Sequence, residues 1–404
     1  MSKALLAIFF TLAIDAIGMG LIMPILPALI RDAGHLAATG WQYGALLSLY
    51  AAMQFLFAPL LGALSDRYGR RPLLLISVLG AAVDYIFMAL APNLALLFVG
   101  RAIAGITGAN MSVASAYITD ITPEDGRAKR FGQMSALFGV GFMVGPIIGG
   151  FLGEFWVRAP FLAAAALNLV NLAMIYFVVP ETRVPSAEAK VLPKLSFLGP
   201  VQPLMTFRAI WGLIFVTVIF AFVGEVAGTI WVPFVEDKFQ WSGPMIGLSL
   251  TCFGVFHAAI QGMLIGPMGK WLGPRGALLL SMACDGSAYV LIGLAGQGWM
   301  AFALMPLFAL GGTGMPILQS LLSARVDSDA QGALMGLVAS LASFVSIFAP
   351  LTISLIYFAS RSSFPGLVWV AGAAMYLICL PFLTKATRGV TPGHATTAEA
   401  ALRP

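Results

Sequence analysis

The feature that most constrains this chain is a succession of about twelve apolar segments, each long enough to cross a lipid bilayer. A helical span needs roughly 20 apolar residues to cross a hydrocarbon core of about 30 Å. That window finds segments at 4–27, 42–63, 73–91, 95–118, 131–153 and 159–180, then at 209–233, 243–267, 276–295, 299–322, 332–357 and 366–384. Backbone groups in lipid must bond within their own segment, so runs of this length predict helices and not barrel strands. The composition agrees, with 60% hydrophobic and 10% charged residues, where soluble domains carry about 25% charged. The fold class expected is an all-α integral membrane protein. The first apolar run begins at Lys3 and superficially resembles a signal peptide. It continues to about Leu26, carries Asp15 and lacks a small-residue cleavage site, so it reads as the first span. Cys252, Cys284 and Cys379 lie in apolar segments without metal or redox spacing and read as small core residues.

Lys and Arg in the loops set the expected orientation. The N-terminus, the loops that follow even-numbered spans and the C-terminal tail hold 17 of the 22 basic residues, among them Arg67, Arg70, Arg71, Lys190, Lys194, Arg208, Lys270, Arg275, Arg388 and Arg403. The opposite loops hold Arg31, Arg158, Lys238 and Arg361, and Arg101 lies inside a span. Both termini are therefore expected in the cytoplasm. The bias also accounts for the net charge of +5, so no nucleic-acid partner is needed, and no obligate protein partner is evident.

The two halves are related. A constant shift of 204 residues places Gly62 on Gly266, Gly69 on Gly273, Arg71 on Arg275, Ser77 on Ser281 and Tyr85 on Tyr289. The same shift places Gly108 on Gly312, Asp125 on Asp329, Gly132 on Gly336 and Pro146 on Pro350. The pattern predicts an N-terminal six-helix bundle (1–180), a polar linker (181–208), a second six-helix bundle (209–384) and a tail (385–404). In transporters built from parallel repeats the substrate site lies between the halves near the midplane.

Several polar residues stand out against this background. Between spans two and three runs Gly62-Ala63-Leu64-Ser65-Asp66-Arg67-Tyr68-Gly69-Arg70-Arg71-Pro72. Its glycines permit a tight turn, and its charges can pair in one conformation and part in another. Arginines alone would be a positive-inside stop signal; the spacing, and its echo at Gly266, Lys270, Gly273 and Arg275, favours a gating loop. A charge at a helix centre costs on the order of 2.5–3.5 kcal/mol. Asp15, Asp84, Arg101, Glu225 and Asp285 must therefore face a cavity or one another. Arg101 finds a natural partner in Asp84 or Asp15, as a structural salt bridge or a functional one. Asp285 has no basic partner in its own span, which suits a carboxyl that binds and releases protons. His257 reads either as a hydrogen-bonded core residue or as a functional imidazole, and Gln261, one helical turn on, shares its face. Gln54 in span two suits a polar ligand or an interhelical bond. No metal-ligand cluster, Gly-x-Ser-x-Gly or paired-carboxylate motif points to an enzyme.

The segment from Gly62 to Pro72 resembles the loop signature of the major facilitator superfamily. Gly141, Gly145, Pro146, Gly149 and Gly150 in span five resemble that superfamily's antiporter motif; a generic small-residue packing seam would account for the glycines but less well for the whole string. Ala13 to Pro24, Ala52-Met53-Gln54, Asp84-Tyr85, Gly100-Arg101, Gly105 to Gly108, His257, Gln261, Asp285 and Met315 to Gln319 look like bacterial tetracycline/proton antiporters. The resemblance implies a proton-coupled exporter of tetracycline in a bacterial inner membrane, with the drug arriving as a Mg²⁺ chelate and no resident cofactor. It further implies proton coupling through Asp15, Asp84, Arg101 and Asp285, and substrate contacts from Gln54, His257, Gln261 and Asp285. Gating would fall to Asp66, Arg67, Gly69, Arg70, Arg71, Asp120 and Arg127. Two departures stand out: Glu225, where such relatives more often carry an uncharged residue, and the bulkier Gly108-Ala109-Asn110-Met111-Ser112 of span four. Rival readings are an antiporter of broader drug range and a proton-driven uptake symporter.

Overall fold

The computed structural model describes residues 3–35, 39–183, 207, 210–327 and 330–386. The expected linker beyond Arg183, with Lys190, Lys194 and Arg208, and the tail with Arg388 and Arg403 fall outside the described residues, as does Asp329. The described residues form fifteen helices. In the first half these are α1 (Lys3–Ile22), α2 (Leu26–Gly34), α3 (Gln42–Tyr68), α4 (Arg70–Leu90), α5 (Leu94–Thr107), α6 (Asn110–Ile121), α7 (Glu124–Phe155) and α8 (Ala159–Val178). The second half contains α9 (Trp211–Phe239), α10 (Gly243–Met263), α11 (Ile265–Leu294), α12 (Gly298–Gly311), α13 (Gly314–Ser323), α14 (Gln331–Ser360) and α15 (Leu367–Ala386). Eleven units are long and apolar enough to span, counting α5 with α6 and α12 with α13; α15 is the twelfth apolar helix.

Two differences from the expected spans have local causes. The first helix stops at Ile22, just before Pro24, which has no N–H to continue the helical bonding; the chain turns and restarts as the short α2 with Pro27 in its first turn. Spans four and ten are each broken in the middle, at Gly108-Ala109 and at Gly312-Thr313. The breaks lie one repeat apart, and the 204-residue shift carries Leu94–Thr107 onto Gly298–Gly311. It also carries Gly69, at φ 106°, onto Gly273, at φ 67°. Both positions take the positive φ that glycine tolerates and a β-carbon does not, at the same tight turn in each half.

Within the first half α1 packs on α7 and α8, α4 on α8, and α3 on α5; in the second, α9 packs on α14 and α15, and α11 on α12 and α15. The halves meet chiefly through two pairs, α7 with α10 and α3 with α14. All the close cross-half contacts gather at one end. A side chain on Gly44 would strike Pro350 and Ser354, and one on Gly247 would strike Pro146. The Thr251 hydroxyl donates to Met143 O at 2.5 Å, and Leu351 N–H donates to Ser48 Oγ at 3.2 Å. Arg31 forms a two-bond ion pair with Glu236 and donates to Thr39 Oγ1 at 3.0 Å, joining α2 to the end of α9. Toward the other end the same four helices part. Gly62, Gly132, Gly139, Gly262 and Gly336 have no atom within 4 Å of where a β-carbon would stand. The halves are therefore in close contact at the α2 end and less tightly packed toward the α3–α4 loop.

Candidate functional site

Around the middle of the bundles, polar side chains gather at the two broken spans. On the first half, Asp84 of α4 and Arg101 of α5 form a buried ion pair, with Arg101 Nε donating to Oδ1 at 3.2 Å and Nη2 to Oδ2. Gly100 permits it, since a β-carbon there would stand 3.0 Å from Asp84 Oδ1 and 2.8 Å from Phe87 Cβ. Of the two aspartates expected for Arg101, the partner is Asp84. The guanidinium also lies 5.2 Å from the centroid of the Tyr50 ring. Gln54 Nε2 donates to Tyr50 Oη at 3.3 Å and to Gly108 O at 3.2 Å, which ties α3 to the break in span four. Asp15 takes its hydrogen bond from Asn110 Nδ2 at 2.9 Å, at the start of α6. The unusual Asn110 thus holds the first intramembrane carboxylate.

On the second half, Asp285 of α11 lies against Gly311 at the end of α12 and accepts the Tyr376 hydroxyl at 2.6 Å. Among the described residues no Lys, Arg or His pairs with it. Ser281 fastens the same corner by donating to Gly311 O at 2.7 Å. His257 of α10 packs against Gly312 in the break of span ten, with the Phe253 ring 5.4 Å away. The Gln261 amide meets His257 Nε2 at 2.8 Å, and Nδ1 is buried without a partner. Gln54 and His257 play matched parts, each reaching a break from a neighbouring helix.

The loop cluster forms a third group. Arg70 bridges Asp66 at 2.8 Å and Asp120 at 3.0 Å and donates to Ser65 Oγ at 3.0 Å. Glu181, the first residue of the expected linker, accepts the backbone N–H groups of Arg70 and Arg71 at 2.8 and 3.0 Å. Arg183 returns to Asp66 at 3.0 Å, and the Arg71 guanidinium donates to Tyr176 O. The cluster joins the α3–α4 turn to the ends of α6 and α8 within the first half. Arg67 instead lies over the Tyr68 ring, and Arg127 reaches Thr122 O at 3.3 Å and Glu124 at 3.6 Å, so neither joins it.

The small-residue string of α7 divides its contacts between two neighbours. Side chains on Gly141, Gly145 and Gly149 would strike the backbone of α1, while Gly150 and Pro146 lie against Gly243 and Gly247 of α10. We expect Gly145→Val, with its nearest atoms the backbone of Ile17, Gly20 and Leu21, to force α1 from α7. Overpacking of this kind costs about 1–3 kcal/mol, so a lowered melting temperature in detergent checks it; an unchanged one contradicts the packing described.

Among the described residues, no three His, Cys, Asp or Glu side chains converge to hold a metal. Sequence reasoning missed Tyr376 as the partner of Asp285, Tyr50 beneath Arg101, the grip of Glu181 on the turn, and Arg31 with Glu236. Only Asn110 carried a signal, as a polar residue where a small one is expected.

Eleven helices of spanning length and a twelfth apolar helix, with carboxylates and amides buried among them, define a polytopic membrane protein. The chain belongs to the Major Facilitator Superfamily, whose sequence profile matches residues 8–350. It is 50% identical to the class C tetracycline resistance protein of Escherichia coli over 390 residues, 95% of this chain and 97% of that one. It is 44% identical to the class G tetracycline resistance protein of Vibrio anguillarum, over 95% of this chain and 98% of that one. The crystal structure of the nucleoside transporter NupG superposes with a TM-score of 0.75 at 12% identity, covering 95% of this chain and 99% of that one, which establishes the shared fold.

Proposed function

We propose that this transporter exports tetracycline, as its divalent-metal chelate, in exchange for protons, and so confers resistance to the drug. One observation carries the reading: Asp285, deep in a span, is bonded by a neutral Tyr376 hydroxyl and, among the described residues, by no cation, in a chain half identical to a named tetracycline resistance protein. A buried carboxyl without a counter-ion must take its positive charge from a ligand or a proton. A cationic chelate and a proton therefore compete for the same group, and competition for one site couples their movements. Asp15, held by Asn110, is the second group able to alternate in this way, while Asp84 is committed to Arg101.

The excess of Lys and Arg puts the α3–α4 loop and both termini in the cytoplasm. The less tightly packed end then faces the cytoplasm, the state that loads drug. Release needs the α2 end to part and the Arg31–Glu236 pair to break. Arg31→Glu is expected to lower export about tenfold and Glu236→Arg to do likewise, with the charge-swapped double variant recovering most of the loss; a double variant no better than either single one would show that the pair does not latch the halves. Exchange of equal charges draws on the pH gradient alone, since a net charge moved would add about 2.3 kcal/mol per 100 mV.

Expression in a drug-sensitive bacterium tests the substrate assignment. Raised resistance to tetracyclines alone supports it. Equal resistance to unrelated drugs supports the broader antiporter, and no change in resistance leaves the transporter without this substrate.

A further inference from the structure

One intramembrane carboxyl has no part in the scheme above. Glu225 lies near the middle of α9, at bilayer depth, and no Lys, Arg or His among the described residues pairs with it. It is not an unmatched charge turned to lipid, because Ser346 of α14 donates to its Oε1 at 2.5 Å. Ser346 lies level with two contacts that α14 makes across the halves, on the opposite face of that helix: the Phe344 ring lies 6.2 Å from that of Phe55, and Leu351 N–H meets Ser48. The Glu225–Ser346 pair thus stands where α9 packs on α14, at the depth of those cross-half contacts. The wall next to it is hollow. Gly224 and Gly228 flank the carboxyl one helical turn apart, both exposed, with no atom within 4 Å of where either β-carbon would be. The rest of this stretch of α9, with Val223, Val226 and Ile230, is buried in the bundle. One carboxylate oxygen is thus held, the other is free, and there is room for a group beside it.

We propose that Glu225, oriented by Ser346, is a subsite for a protonated amine on the transported molecule. The proposal rests on the tetracycline reading, since that drug carries a dimethylammonium group at a distance from its metal-chelating oxygens. Asp285 then answers the chelate and Glu225 the amine, from different helices of one half. An ammonium N–H to a carboxylate is a charge-assisted bond, stronger than a neutral one and directional enough to fix the orientation of the drug. The serine sets the rotamer of the carboxylate and does not compete for the free oxygen.

Transport into everted vesicles with Mg²⁺, using tetracycline and its 4-dedimethylamino analogue, tests this. Glu225→Gln is nearly isosteric and keeps an acceptor for Ser346. It is expected to raise KM for tetracycline about tenfold, the worth of one charge-assisted bond, and to leave KM for the amine-free analogue unchanged. Ser346→Ala should shift KM for tetracycline in the same direction by less. Glu225→Asp, which keeps the charge, should retain the preference for the amine-bearing drug and serves if Glu225→Gln does not reach the membrane. Equal shifts for both drugs, or no shift for either, would overturn the amine subsite while leaving tetracycline export standing. Failure of the unaltered protein to move either drug would overturn the export reading itself, and the subsite with it.

Discussion

Asp285→Asn should reduce drug uptake into everted vesicles to that of membranes lacking the protein, while the amount of protein in the membrane stays unchanged. The carboxyl accepts a hydrogen bond from Tyr376 at 2.6 Å, and no cation among the described residues pairs with it. Asparagine has the same shape, and its carbonyl oxygen can accept the same hydroxyl, so the corner formed by α11, α12 and α15 stays packed. What it loses is the charge and the ability to take up and release a proton. A structural role predicts lost protein and no specific transport defect. The role proposed here predicts the reverse. Asp285→Asn membranes that still accumulate tetracycline against a gradient would remove this residue from the coupling scheme. Tyr376→Phe, which deletes the hydroxyl alone, should weaken transport without abolishing it.

Asp84→Ala should be more damaging to the protein than to any single step of transport. Asp84 is 1% exposed and Arg101 8%, and removing one partner of a buried ion pair leaves the other uncompensated, at a cost of about 3–5 kcal/mol. The expected results are low protein yield and a melting temperature in detergent reduced by several degrees. Asp84→Asn with Arg101→Gln removes both charges and should recover much of the stability, since neutral amides can still bond across α4 and α5. If Asp84→Ala melts as the unaltered protein does yet fails to transport, the pair acts in the chemistry and does not serve as a brace. Tyr50 makes the distinction informative. Its ring lies under Arg101 and its hydroxyl meets Gln54, so movement of the guanidinium would reach the break in span four directly.

The sequence was most informative where the physics is one-dimensional. Hydropathy depends on length and polarity, so it located the spans. The 204-residue repeat paired the two turns whose glycines, Gly69 and Gly273, take positive φ, and it paired Gly108 with Gly312. That Gly108 and Gly312 interrupt helices was not legible, because glycine is tolerated inside a span; Gln54 of α3 and His257 of α10 meet the breaks from outside their own helices. The α1–α2 turn was hidden for a related reason: Pro24 and Pro27 bend a run that stays apolar throughout. Partners across the bundle were the least accessible. Asp285 meets a tyrosine 91 residues later and Asp15 an asparagine 95 residues later, and nothing in local spacing connects them. Arg101 was the exception, since so few acids occur within the spans that its choice narrowed to two. The charged cluster at the α3–α4 turn was read in part: Asp66, Arg70 and Asp120 come together, but Glu181 holds the turn from a stretch that reads as a polar linker.

Proton-coupled export is tested most directly by tetracycline uptake into everted membrane vesicles in the presence of Mg²⁺, before and after the pH gradient is collapsed. The account predicts accumulation that requires the gradient, is lost when it is collapsed and is absent in Asp285→Asn vesicles. Accumulation that survives loss of the gradient, or none above control vesicles while the gradient stands, would contradict it.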